Sequence, residues 1–174
     1  LISAVVSADY AIPSLSGAQD LDVDGIHQGF LRGLRQRGGS VITEAEVQSG
    51  AFQDGTWTLE AESGRYTAPV VVNAAGAWGD VVAQRCGIAP VGLVPKPRTA
   101  MLFASPEGMS PRNWPLFVDV DEQFYVKPEV EHLLGSPADE TPSEPCDARP
   151  EDWDLAVAAE RIGQATTLEI ERIS

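Results

Sequence analysis

Apolar positions near the amino terminus recur at the spacing of an amphipathic helix. Between Asp22 and Arg37 they follow one another by three, four, one and three residues, at Val23, Ile26, Phe30, Leu31 and Leu34. This spacing lines one stripe of a helix. Asp22 or Asp24 can cap the first turn, and Gly38-Gly39 has the backbone freedom that ends a helix. The pattern therefore predicts a helix over 22–37.

Shorter apolar and alternating runs predict strands after that helix. Ser40 to Val47 and Trp57 to Glu62 are the first two, and the pairs Asp54-Gly55 and Ser63-Gly64 have the residue types of tight turns between strands. A small antiparallel meander is the expected result. The dense apolar run from Pro69 to Ala75 then predicts a buried strand, which a tight turn joins to a helix over 78–85.

The second half of the chain predicts more strands and one helix. The expected strands are Val91–Ala104, Trp114–Val120, Phe124–Pro128 and His132–Gly135. The last two pair around residues 129–131. Prolines crowd residues 137–150, which favours an extended surface loop. Apolar positions between Asp152 and Gln164 predict a final helix.

Composition excludes several classes of partner. Twenty-six acidic residues against twelve basic ones give a formal charge of −14, which repels the phosphates of nucleic acids and anionic lipid headgroups. Cys86 and Cys146 have no second cysteine or histidine at metal-ligand spacing, so neither a metal site nor a redox pair is predicted. No run approaches the roughly 20 apolar residues that span a bilayer. We expect a cytoplasmic protein with ordinary thiols and no membrane span.

Both ends of the sequence predict an internal piece of a longer protein. The first residue is Leu1 rather than methionine, and it opens directly into a hydrophobic phrase. The last residues, 170–174, stop equally abruptly.

The phrase at residues 70–80 carries the first indication of function. A run of small residues, Ala74-Ala75-Gly76, follows three valines and Asn73, so another body can approach the backbone closely. A plain turn packed on its own helix is the alternative. The phrase resembles the second flavin-contacting segment of the D-amino-acid oxidase, glycine oxidase and sarcosine oxidase superfamily. That resemblance implies that Val47 contacts the adenine end of FAD through its backbone, and that Ala75 and Gly76 lie along the cofactor.

Later phrases narrow the resemblance to one branch. Pro95-Lys-Pro-Arg-Thr-Ala100, the run from Trp114 to Pro128, and Leu133-Leu-Gly-Ser-Pro-Ala138 stand in the order found in D-arginine dehydrogenase and related D-amino-acid dehydrogenases. The likeness covers nearly the whole chain, including Ala165-Thr-Thr-Leu168. The superfamily's G-x-G-x-x-G fingerprint, which binds the cofactor pyrophosphate, does not occur in these 174 residues. This piece alone is therefore expected to be inactive and not to retain FAD.

The branch resemblance also implies roles on the substrate side. Arg98 would hold the substrate α-carboxylate, although a salt bridge to one of the many acids is an alternative. Tyr125, on one face of its strand with Lys127, would lie near the amino-acid head as the catalytic residue, unless it is simply solvated. Glu122, in a predicted turn, would reach a cationic substrate side chain, unless it is a plain surface acid.

Leu116 and Val118 match pocket-lining positions, although a methionine is expected where the leucine stands. No metal ligand is predicted. The fold implied is α+β, with three segments. Residues 1–21 start a substrate-domain segment, 22–90 form part of an FAD-binding domain that contains the meander, and 91–174 form a substrate-binding domain. That domain has a mixed or antiparallel sheet with helices on one face.

The reaction implied by the resemblance is the oxidation of D-amino acids resembling D-arginine or D-lysine. A hydride passes to the flavin, and the imine is hydrolysed to a 2-oxo acid and ammonia. The partner is thus a small D-amino acid, while the electron acceptor, dioxygen or a quinone, is unknown. A glycine or sarcosine oxidase remains an alternative, and a substrate-binding role of Glu122 would distinguish the two, because glycine and sarcosine have no cationic side chain. A non-catalytic binding module is another.

Overall fold

A computed structural model describes residues 14–15 and 21–170. The chain divides into two compact units. Among the described residues, one unit is 21–95, and the other is Ser14–Leu15 with 96–170. The predicted segment 1–21 lies outside the described residues except for Ser14, Leu15 and Leu21. None of the helices in the described part is long and apolar enough to cross a membrane.

The unit of residues 21–95 opens with helix α1, Val23–Gln36. The Asp22 carboxylate accepts a hydrogen bond from the Gly25 N–H at 2.8 Å, which caps the first turn as predicted. The apolar stripe is present, but no residue of α1 is buried, and Phe30 is 76% exposed. The predicted helix is therefore confirmed. Its apolar face is not covered by the rest of this unit.

An antiparallel meander follows α1. It contains β2 (Val47–Gln53), β3 (Thr56–Ala61) and β4 (Gly64–Ala68), in the order β2-β3-β4. The β2–β3 turn lies at Asp54-Gly55, where both residues have positive φ, as the sequence predicted. The predicted strand over 40–47 is wrong. Glu44 has a φ of 53°, which no strand allows, and pairing begins only at Val47.

The segment of residues 69–75 differs from its prediction. It forms no strand, and Val70 and Val72 are 72% and 82% exposed. The prediction of a buried strand is therefore wrong for these residues, since no strand in the described part of the chain pairs with the run. A 3₁₀ turn, Gly76–Trp78, then leads into helix α2, Gly79–Arg85, close to the predicted helix.

The other unit is built on a five-stranded antiparallel sheet. Its strands lie in the order β1-β6-β7-β8-β5, and they are β1 (Ser14–Leu15), β5 (Met101–Ala104), β6 (Leu116–Val118), β7 (Tyr125–Glu129) and β8 (His132–Ser136). The predicted β7–β8 hairpin is confirmed, with Glu129 opposite His132. Residues 137–150 form no helix or strand, as expected for the proline-rich loop. Helix α3 spans Asp152–Ala165.

Helix α3 covers one face of this sheet. The core contains side chains of four strands and of the helix, which are Met101, Phe103, Phe117, Val126, Leu133, Ala158, Ile162 and Ala165. Gly135 lets the helix approach, because a Cβ there would lie 2.7 Å from Ile162 Cδ1. Buried and half-buried positions alternate along β6 and over the first three residues of β7. This α+β architecture confirms the predicted fold class.

The predicted strand over 91–104 is shortened to Met101–Ala104. Three of its backbone N–H groups, on Val91, Gly92 and Leu93, donate instead to the Asp80 carboxylate. Pro95 and Pro97 have no N–H to give to a sheet. The amino-terminal half of the run is consequently an irregular segment.

Candidate functional site

The unit of residues 21–95 presents a turn with little side-chain cover. Asn73 bridges this turn, because its Nδ2 donates to the Gly79 carbonyl at 2.7 Å and its Oδ1 accepts from the Ala75 N–H at 3.3 Å. Gly76 has a φ of 55°, and no atom lies within 4 Å of where its Cβ would be. The space beside Ala75 and Gly76 is therefore open to another body.

Val47 lies at the start of β2, beside the end of α2. Nη1 of Arg85 donates to the Val47 carbonyl at 2.7 Å and to Glu46 Oε1 at 2.6 Å. Arg85 is the last residue of α2, where a cation also interacts favourably with the helix dipole. The same unit thus holds all three residues predicted to face the cofactor, Val47, Ala75 and Gly76.

Asp80, in the first turn of α2, organises the segment that follows the helix. Its hydrogen bond from the Val91 N–H is the main cause that lowers the pKa of its carboxyl, and those from Leu93 and Gly92 act in the same direction against desolvation. A lowered pKa in the folded state stabilises that state above the unfolded pKa. The contribution disappears only in acid, as the pH falls through the folded value.

The face of the sheet opposite α3 carries three predicted substrate-side residues. Val118 pairs with Tyr125 across β6 and β7, and Leu116 lies two residues before Val118 on the same face. All three side chains are half-buried. Lys127, also on this face, donates from Nζ to Glu129 Oε2 at 2.7 Å. The structure therefore brings Leu116, Val118 and Tyr125 onto one surface.

Arg98 lies outside the strands, in the segment before β5, and its side chain is 46% exposed. The predicted strand Val91–Ala104 included Arg98, so the expectation that this residue lies within a strand is wrong. Its Nη2 contacts Glu140 Oε1 at 3.2 Å, and Lys96 Nζ contacts Glu140 Oε2 at 2.7 Å. The hydrogen bond and charge of Lys96, with a smaller effect of Arg98, lower the pKa of the Glu140 carboxyl. The guanidinium already binds a carboxylate.

The segment around Arg98 is anchored through its neighbour. Thr99 is buried, and its N–H and hydroxyl donate to the two oxygens of Asp139 at 2.8 and 2.9 Å. This anchor holds the residues before β5 against the loop that follows β8. Arg98 and Glu140 meet because both are adjacent to it.

Glu122 lies in the β6–β7 turn, as the sequence predicted. Its N–H donates to the Asp119 carbonyl at 2.9 Å, and its φ is 57°, a left-handed conformation that costs free energy for a residue with a Cβ. Its exposed side chain lines a cavity of about 750 Å³ that Glu140 and Trp153 also line. Glu122 and Glu140, the acid that contacts Arg98, thus line the same cavity, whereas Tyr125 does not line it.

The comparisons with known proteins decide the family. The model of the family described as "FAD dependent oxidoreductase" matches residues 14–171. The chain belongs to this family. Among solved structures, this FAD-dependent oxidoreductase chain is similar to L-proline dehydrogenase from P. horikoshii, with a TM-score of 0.67 and 16% sequence identity. The match covers 85% of this chain and 41% of that one, so the chain spans less than half the length of the relative.

The residues at the 73–79 turn fit part of an FAD site. The open space at Gly76 and the small side chain of Ala75 allow a flat group to approach the backbone. Exposed Val70 and Val72 add apolar surface beside them. These residues fit the flat and apolar portions of FAD, while the sequence contains no glycine fingerprint for its pyrophosphate. Within the described residues, no cluster of three or more His, Cys, Asp or Glu side chains is arranged to hold a metal ion.

Several contacts of these surfaces were not indicated by the sequence. Asn73 and Asp80 belong to the phrase that resembles a flavin-contacting segment, but the resemblance implied roles only for its small residues. Arg85 and Glu140 had no such indication, because they lie 38 residues from Val47 and 42 residues from Arg98. Pairings at that separation depend on the tertiary fold, and one sequence does not reveal them.

Proposed function

We propose that this chain is part of an FAD-dependent oxidoreductase that oxidises D-amino acids with a cationic side chain, such as D-arginine or D-lysine. The observation that carries the proposal is the carboxylate of Glu140 on the guanidinium of Arg98, beside a cavity that Glu122 lines. A site with a carboxylate-binding cation and a separate acid matches the two ends of such a substrate. The similar P. horikoshii protein, named as an L-proline dehydrogenase, supports amino-acid chemistry.

In this proposal the two units have different roles. Val47, Ala75 and Gly76 in residues 21–95 contact FAD, which, when bound, accepts the hydride that leaves the substrate Cα. Arg98 exchanges Glu140 for the substrate carboxylate, and Tyr125 orients the amino group on the wall formed with Leu116 and Val118. Loss of the hydride and of one amine proton leaves an imine, which water hydrolyses to a 2-oxo acid and ammonia.

The experiment is an anaerobic reduction assay on the complete protein that contains this chain. The visible absorbance of bound flavin is followed after addition of D-arginine, D-lysine, L-arginine, glycine, sarcosine or L-proline. We expect rapid bleaching by D-arginine and D-lysine and none by L-arginine. Bleaching by glycine or sarcosine alone would replace the proposed substrate by a small amine. Absence of bound flavin would contradict the whole proposal.

Glu122→Gln is expected to weaken the use of D-arginine more than that of D-methionine. Because the Glu122 side chain is exposed, its interaction with a cation is worth about 1 kcal/mol, or roughly a fivefold fall in kcat/KM. D-Methionine, which has no side-chain charge, should lose little. Steady-state kinetics with both substrates measure the difference.

Glu131→Gln is the matched control for this prediction. Glu131 is an exposed acid in the β7–β8 turn of the same sheet, so its substitution makes the same change in net charge away from the cavity. It should leave the D-arginine to D-methionine ratio unchanged. Equal losses on both substrates in Glu122→Gln would remove the selectivity role.

A further inference from the structure

Helix α2 joins two segments that the proposed function assigns to FAD. At its start, the carbonyl of Gly79 accepts from Asn73, whose side chain also holds the Ala75 N–H. At its end, Arg85 donates to the carbonyl of Val47. The helix has seven residues and is therefore only about 10 Å long. One short rigid element sets the spacing between Val47 and the 73–79 turn.

The carboxyl end of α2 also lies directly on β2. A Cβ on Gly50 would lie 2.6 Å from Cys86 Sγ, so the glycine is what allows this approach. Arg85, next to Cys86, has its side chain 33% exposed and holds both Val47 and Glu46 through a single nitrogen. Hydrogen bonds from a charged donor are about twice as strong as neutral ones. The start of β2 is thus fixed by this contact.

We propose that Arg85 is a positioning residue for FAD. By holding the carbonyl of Val47 it fixes the start of β2 at a set distance from Ala75 and Gly76. The carbonyl oxygen has a second lone pair, so the Arg85 contact leaves it able to accept another hydrogen bond. A surface already in its bound geometry binds more tightly, because less ordering accompanies binding. The inference rests on the proposed contacts of FAD with these residues.

The test is a titration of the apo form of the complete protein with FAD, in which binding is monitored through the quenching of flavin fluorescence. Arg85→Met should raise the Kd for FAD about fivefold, as expected for loss of a partly exposed charged hydrogen bond. ADP, which contains the adenine but no flavin, should show a similar rise in a competition experiment. Arg85→Lys keeps one cationic donor and should recover part of the affinity.

Two controls separate positioning from a general effect. Arg65→Met removes an ion pair with Glu60 in the same meander, where the Arg65 side chain is 70% exposed, and should leave the Kd unchanged. Glu46→Gln breaks the ion pair but keeps the Arg85 bond to the Val47 carbonyl, so it should cost less than Arg85→Met. The thermal midpoint of each apo variant reports whether the fold is retained.

The outcomes distinguish this inference from the proposed function. If the unsubstituted protein binds FAD and Arg85→Met and Arg85→Lys bind it equally well, the positioning role is wrong while the cofactor assignment stands. An equal loss in Arg65→Met would also overturn it, because the effect would then follow net charge. If the unsubstituted protein binds no FAD, both proposals fail. A loss confined to the Arg85 variants, and partly restored by lysine, supports the inference.

Discussion

Replacing Arg98 by alanine in the complete protein is expected to raise the KM for D-amino acids by more than about tenfold. A hydrogen bond to a charged group is worth roughly 1.5–3 kcal/mol, which corresponds to about 10- to 150-fold in affinity. The Arg98 side chain is 46% exposed and binds the Glu140 carboxylate, so it is accessible to another carboxylate and already oriented to bind one. Steady-state kinetics with D-arginine measure the change.

Lys96→Ala is the matched control for Arg98→Ala. Lys96 contacts the same Glu140 carboxylate, and its side chain is 45% exposed, almost the same as Arg98. Only Arg98 offers the planar fork that binds a carboxylate through two parallel hydrogen bonds. We therefore expect a much smaller rise in KM for Lys96→Ala. Equal rises, or an unchanged KM in Arg98→Ala, would remove Arg98 from the substrate site.

Glu140 occupies Arg98 in the structure, so a substrate carboxylate would compete with it. Lys96 first, and Arg98 second, lower the pKa of its carboxyl, so it remains ionised at neutral pH. A substrate carboxylate would therefore have to displace an ionised side chain from Arg98. The exposed position of Glu140 keeps that exchange inexpensive, because the displaced charge returns to water.

Local patterns predicted the regular elements of the chain well. Helices α1 and α3 follow from apolar spacing, and the turn at Asp54-Gly55 and the β7–β8 hairpin follow from turn residues and alternation. In each case the information lies within about fifteen residues of the element. The half-buried face of Leu116, Val118 and Tyr125 could likewise be predicted, because alternation in a strand fixes which residues share a face.

The errors occur where distant groups decide the local structure. Residues 91–93 have the composition of a strand, but the Asp80 carboxylate takes their N–H groups. Residues 69–75 have the composition of a buried strand, yet Val70 and Val72 are exposed. An apolar pattern indicates a tendency to be buried, but it does not identify the partner that would bury it. The sequence left a salt bridge of Arg98 open as an alternative but did not identify Glu140 as the acid, and it gave no indication of the Arg85–Val47 contact, because these partners are distant along the chain.

Phe103→Ala is expected to lower the free energy of unfolding of the unit built on the five-stranded sheet by about 3–5 kcal/mol. Phe103 is 1% exposed and lies on β5, an edge strand of the sheet, opposite Leu133 of β8. Its ring also lies against Gly135, where a Cβ would come within 3.0 Å of Phe103 Cε1. Truncation therefore opens a cavity that the sheet and α3 cannot fill by a small shift. Equilibrium urea unfolding measures the loss.

Trp153→Ala is the control for this substitution. It removes an even larger aromatic side chain from the same unit, but Trp153 is 75% exposed near the start of α3. Removing this side chain should therefore change the free energy of unfolding by no more than about 0.5 kcal/mol. The contrast tests whether the core lies between α3 and the sheet. Truncating a buried phenylalanine leaves a cavity, whereas truncating an exposed aromatic side chain does not. A loss of less than about 1 kcal/mol in Phe103→Ala, or a loss no larger than that in Trp153→Ala, would therefore show that Phe103 is not a central core residue.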